Sequence, residues 1–163
     1  MDIAAGQSGQ HLCAMVMRRP RSPVTRVVVG VDGSACAAAA VHWAAAEACL
    51  RQVVLRIVSA WDEPGRPGPE PAVEPVRIAA ARVQQALARV LGRLPYPRRI
   101  ACATPRGKPG EALLAETGET GLLVLGLAGI GAAPVPGRTN WYCLRRGRGA
   151  LVFVPSLSDR PAA

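Results

Sequence analysis

Aromatic side chains are scarce in this chain of 163 residues, at 4%, with a single Phe. That excludes a surface on which successive rings stack bases. It also requires a core built from Ala, Val and Leu, which suits helices lying close against a parallel sheet. Lysine is reduced to Lys108 alone, so the formal net charge of +9 rests almost wholly on arginine. The arginines are spread along the whole chain, as a skewed codon composition would leave them, and nucleic acid is not expected as a partner. No apolar run approaches the roughly 20 residues that span a bilayer, so no membrane association is expected. A secretory leader is not expected either: Asp2 stands where a basic region belongs, and Arg18, Arg19 and Arg21 follow the short apolar run 12–17 instead of preceding it. The cytoplasm is the expected compartment. Five cysteines without any C-x-x-C spacing give neither a disulfide framework nor a zinc site. Cys36, Cys49 and Cys102 lie in apolar stretches and read as small hydrophobes.

What the chain does have is alternation. Residues 1–24 carry no period and read as a flexible N-terminal extension, with Met15 and Met17 leaving open a later start. Residues 26–31 (RVVVGV) form a β-branched run of the kind found in a strand buried on both faces. Asp32-Gly33-Ser34 breaks the run, Ser34 is well placed as an N-cap, and an Ala-rich helix is expected over 35–50. A second strand is expected over 53–60, then a Pro/Gly loop over 64–75. From Val76 onward, Val76, Ala80, Val83, Leu87, Val90, Leu91 and Leu94 make one helical stripe. Arg82, Arg89 and Arg93 fall opposite it, as a solvated face. Strands at 99–103, 121–126 and 151–154 alternate with helices at 109–116 and 139–145. Residues 156–163 read as a flexible tail.

Strands alternating with helices imply a parallel sheet wound in the right-handed sense. The expected fold is α/β: a doubly wound five-stranded parallel sheet with helices on both faces. Its ligand crevice lies beyond the carboxyl ends of the strands, where the winding reverses, which points to Asp32, Trp61 and Gly126. Asp32 could accept hydrogen bonds from a ribose or base, or could shape the turn and cap the next helix. After the fourth strand, residues 126–137 (GLAGIGAAPVPG) lead into a helix, as suits backbone N–H groups approaching a phosphate. No Gly-Lys-Ser/Thr closes that loop, so it is not a Walker A loop, and it comes too late in the chain for a Rossmann fingerprint.

The segments VVVGVDGS, AAAAVHWAAAEA, LRIVSAW and LLVLGLAGIG…GRTNWYCLRRGRGALVFVP together resemble the universal stress protein family in order and spacing, over residues 25–155. The resemblance implies strand order 3-2-1-4-5, a homodimer formed through the last strand, from Leu151 to Val154, and in a subset of members a site for ATP. Carried over position by position, Asp32 matches the ribose-contacting acid and Val58 the apolar residue near the adenine. Gly126 and Gly129 match the G-x-x-G opening of the phosphate loop, and Gly137 the later glycine. The chain also departs from the pattern. Seven residues, not nine, separate Gly129 from Gly137, Arg138 replaces the following Ser or Thr, Pro134 and Pro136 stiffen the loop, and Leu127 and Ala128 stand where polar or basic residues are usual.

His42 and Trp43 read as helical residues, Trp43 in the core. Glu111, Glu116 and Glu119 read as a solvated row. Nothing brings a nucleophile, base and orienting acid together, and the related hydrolase motifs H-x-G-H and S-G-G-x-D-S are absent, so no enzyme is expected. The resemblance implies a stress-response module that binds an adenine nucleotide, ATP or a relative. The alternative is a degenerate member that serves as a dimeric interaction scaffold without nucleotide.

Overall fold

A computed structural model describes residues 14–62, 73–92, 97–127, 129–130, 133–134 and 136–156. In chain order they form β1 (Met15–Arg18), β2 (Arg26–Gly30), α1 (Ala35–Arg51), β3 (Val54–Val58), α2 (Val73–Leu91) and β4 (Ile100–Ala103). There follow α3 (Pro109–Thr117), β5 (Gly121–Leu127), a short pair β6 (Gly129–Ile130) and β7 (Ala133–Pro134), α4 (Arg138–Arg146) and β8 (Ala150–Pro155). The main sheet runs β1-β8-β5-β2-β3-β4. Its members β4, β3, β2, β5 and β8 are all parallel, which reproduces the expected 3-2-1-4-5 order.

The sixth strand corrects the expected count of five and the reading of residues 15–18 as flexible. β1 lies inside the segment read as a flexible extension, yet it pairs antiparallel with β8, Met15 opposite Phe153 and Val16 opposite Val152, with a bulge before Arg18. Arg18 donates to the carbonyls of Leu144 at 2.6 Å and Gly149 at 2.9 Å, pinning the turn between α4 and β8. The β8 edge, expected from Leu151 to Val154 to meet a second copy, is paired over Leu151, Val152 and Phe153 by β1 of the same chain. An unpaired apolar edge is a template for another strand, and β1 meets that demand internally.

Apolar side chains sort to the two faces by strand alternation. Val27, Val29, Leu55, Ile57, Val124 and Val152 face α1 and α2, while Val28, Val58, Leu123, Leu125 and Phe153 face α3 and α4. Ala37, Ala40, Ala44, Ala45 and Ala48 of α1 are buried, so small side chains on that face let α1 lie close on the sheet. α1 starts where Ser34 Oγ accepts a hydrogen bond from Ala37 N at 3.1 Å. Ser34→Ala is expected to cost about 1 kcal/mol, read as a small drop in the urea midpoint at constant slope.

α2 begins at Val73, inside the expected loop, with Pro75 in its first turn, where a missing N–H costs little. Its buried line is Ala79, Val83, Ala86 and Val90. The expected stripe is rotated by about one position, Leu91 is 51% exposed, and Leu94 lies outside the described residues. No helix among the described residues is long and apolar enough to cross a membrane.

Candidate functional site

In a doubly wound sheet the crevice opens between the two central strands whose crossovers leave in opposite directions. Here these are β2 and β5, and a crevice lies beyond their carboxyl ends. Its floor is apolar, formed by Val31, Val58, Leu113 and Leu125. Around the mouth stand Asp32, Ser34, Thr139, Asn140 and Arg82. The crevice is open on one side and measures about 140 Å³, comparable to a cavity that holds a single aromatic ring.

Asp32 Oδ1 accepts the backbone N–H of Ser34 at 2.9 Å, an Asx turn that holds the chain as it leaves β2 for α1. The turn-shaping reading of Asp32 is thus observed, and its side chain is exposed at the rim. Val58, the last residue of β3, is fully buried in the floor, and its carbonyl takes the N–H of Val31 at 2.9 Å.

Gly126 lines the crevice, but its lack of a side chain answers first to packing. A Cβ there would stand 2.5 Å from the carbonyl carbon of Cys36 and 2.7 Å from Ala37 N, in the first turn of α1. Its carbonyl accepts the Asn140 Nδ2–H at 3.0 Å, tying the end of β5 to α4. Asn140 is 7% exposed, and sequence reasoning had passed over it. Gly129 belongs to β6 and pairs with Pro134, so part of the expected phosphate loop is a small hairpin. Leu127, at a position that is polar or basic in the resembled pattern, is fully buried among the apolar side chains facing α3 and α4. Gly137 precedes α4 as its cap residue with φ −70°, and a Cβ there would meet nothing within 4 Å. Ala128 lies outside the described residues.

Trp61 does not line the crevice. Its indole N–H donates to Thr104 O at 3.0 Å, and Arg106 stacks over its ring at 5.8 Å, which fastens the end of β3 to the loop after β4. Glu116 leaves the expected solvated row to pair with Arg56 of β3. Glu119 meets Arg148 at 3.1 Å in the open. The cysteines divide differently from expectation. Cys36 and Cys143 are buried while Cys102 is exposed. Burial pushes the Cys143 thiol up to about 11, outweighing the nearby Arg18 charge that lowers it, so this sulfur stays an unreactive thiol at neutral pH. No group of three or more potential metal ligands occurs among the described residues.

Arg82 is the residue the sequence reading most misplaced. It is half-buried and lines the crevice, its side chain crossing Gly33 with Nε 3.6 Å from where a Cβ would be. Gly33 has φ +87°, a conformation glycine adopts at little cost, and this conformation, not the space beside Arg82, is what calls for glycine there. The signal was in the spacing: Arg82 is three residues after buried Ala79 and four before buried Ala86, which places it beside the apolar stripe.

Comparison with known proteins agrees with this architecture. A model of the universal stress protein family matches residues 23–155, and the chain belongs to that family. The universal stress protein Rv2624c of Mycobacterium tuberculosis is 29% identical over 141 residues, covering 84% of this chain and 50% of that protein. The chain thus spans about half the length of the curated relatives it matches. Among solved structures, a universal stress protein in complex with cAMP superposes with a TM-score of 0.62 at 20% identity, over 83% of this chain and 99% of the other. A family protein from Arabidopsis thaliana with AMP bound gives a TM-score of 0.55 at 13% identity, over 85% and 97% of the two chains. At such identities the likeness establishes the fold.

Proposed function

We propose that this chain is an adenine-nucleotide-binding stress-response module, acting in the cytoplasm, which holds ATP, AMP or a relative as a ligand without rapid turnover. The observation that carries the reading is the crevice between β2 and β5, with an apolar floor at Val58 and Leu125 and an exposed carboxylate, Asp32, at its rim. An apolar slot with a few convergent polar groups is the usual make-up of a small-molecule site. Two proteins of the same fold carry cAMP or AMP, which supports an adenine nucleotide as the class to test.

Calorimetric titration with ATP, AMP and cAMP is expected to give saturable binding. Asp32→Ala is expected to weaken it on the order of tenfold, the usual worth of one charge-assisted hydrogen bond. Asp32→Asn keeps an acceptor for Ser34 N and separates turn from charge: binding should fall with Asn too if the carboxylate meets the ribose. Flat titrations with all three nucleotides at millimolar concentration would sink the reading. They would favour the second one, an interaction scaffold without nucleotide. The pairing of β6 with β7 supports that alternative, since it spends backbone groups that a phosphate loop would otherwise present.

A further inference from the structure

The sequence after β5 offers the phosphate little: the loop is short, part of it is paired, and Leu127 is turned into the core. A cation stands instead on the opposite wall. Arg82 lines two adjoining hollows, the crevice itself and a groove between α1 and α2 bordered by Gly33, Ser34, Gln85 and Arg89. Neither an ion pair nor a hydrogen bond engages Arg82 among the described residues. A half-buried arginine with no anionic partner among the described residues, its side chain held over a glycine at the mouth of a slot, can offer its donors to a phosphate. Its planar fork can give two parallel N–H bonds to one phosphoryl group.

We propose that Arg82 of α2 is the phosphate-binding residue of this crevice, so that a nucleotide bound there directs its first phosphate past Asp32 and Gly33 into the α1–α2 groove, away from the Gly126–Gly137 loop. This rests on the adenine-nucleotide reading above and specifies it. The ligand class that follows is a nucleoside carrying a single phosphate, open or cyclic. Arg89 borders the far end of the same groove, two helical turns on, roughly 10 Å along the axis. Arg89 is thus the second cation of this groove, and Arg89→Ala tests whether a phosphate preference belongs to Arg82 or to the charge of the groove as a whole.

The experiment compares adenosine with AMP by calorimetry on the full chain and on Arg82→Ala, Arg82→Lys and Arg89→Ala. The wild-type chain is expected to prefer AMP on the order of tenfold or more. In Arg82→Ala the preference should vanish while adenosine affinity stays unchanged; Arg82→Lys should retain part of it, and Arg89→Ala nearly all. A preference that survives in Arg82→Ala overturns the assignment and leaves the crevice standing. Equal loss in Arg89→Ala also overturns it, since a general field would then be at work. Equal affinity of the wild-type chain for adenosine and AMP excludes a phosphate contact altogether. Binding of neither ligand removes the crevice reading and this assignment with it.

Discussion

Gly126→Val is expected to unfold the rim of the crevice and to abolish the proposed nucleotide binding, together with a loss of about 3 kcal/mol of stability, at the upper end of what overpacking usually costs. The reason is the partner the new side chain would meet. At 2.5 and 2.7 Å the neighbours are backbone atoms of Cys36 and Ala37, which cannot rotate aside as a side-chain tip can. α1 would have to lift at the turn where Ser34 caps it and Asp32 holds Ser34 N. The displacement would spread to α4 as well, because the Gly126 carbonyl is the acceptor for buried Asn140. At 2–4 °C per kcal/mol for a chain of this size, the fall in Tm is roughly 10 °C. Gly137→Ala is the contrast: φ is −70° and no atom lies within 4 Å of the added Cβ, so stability should hardly change. If the two variants melt alike, the close approach of β5 to α1 is not what fixes glycine at position 126.

Removing residues 1–18 is expected to lower Tm further and to turn the chain into a self-associating species. Two part-buried hydrogen bonds from the Arg18 guanidinium to backbone carbonyls are lost, at about 1.5–3 kcal/mol each, or on the order of 10 to 20 °C in all. The β8 edge is then bare from Leu151 to Val154, all four residues buried in the intact chain. Such an edge recruits another, and the simplest partner is the same strand of a second copy. The homodimer implied by the family resemblance is thus proposed for the shortened chain, or for a chain in which β1 has given way. Size-exclusion chromatography with light scattering reads the outcome. A truncated chain that stays monomeric with an unchanged melting curve would show β1 to be dispensable.

Legibility followed the range of the interactions. β2, β5 and β8 could be read because strands buried on both faces must be continuous apolar runs, and RVVVGV, GLLVLG and LVFV are such runs. β1 could not. MVMR is four residues long, ends in a basic cluster before Pro20, and becomes a strand only because β8 waits more than a hundred residues away. The start of α2 was hidden by Pro75, which punctuates a loop and opens a helix equally well. At the site, Asp32 and Val58 were legible as the ends of strands. Arg82 was not, since a stripe misplaced by one position moves a crevice residue to the solvent side. Leu127 and Gly126 show the converse: their identities answer to core packing, which a motif matched on spacing does not register.

The antiparallel seam between β1 and β8 joins the first described strand to the last, with Arg18 reaching Gly149 across 131 positions. On the ribosome, β1 emerges early and has no partner until nearly all of the domain has followed. Closing so long a loop is slow because its entropy is lost before any contact rewards it. The seam therefore forms last, and the nascent chain carries two open edges, β1 and the bare flank of the growing sheet, for the whole interval. Encounters between neighbouring nascent chains are most hazardous in that window, and the bulge, the arginines and Pro20 at the end of β1 are the features that make wrong pairing there less favourable.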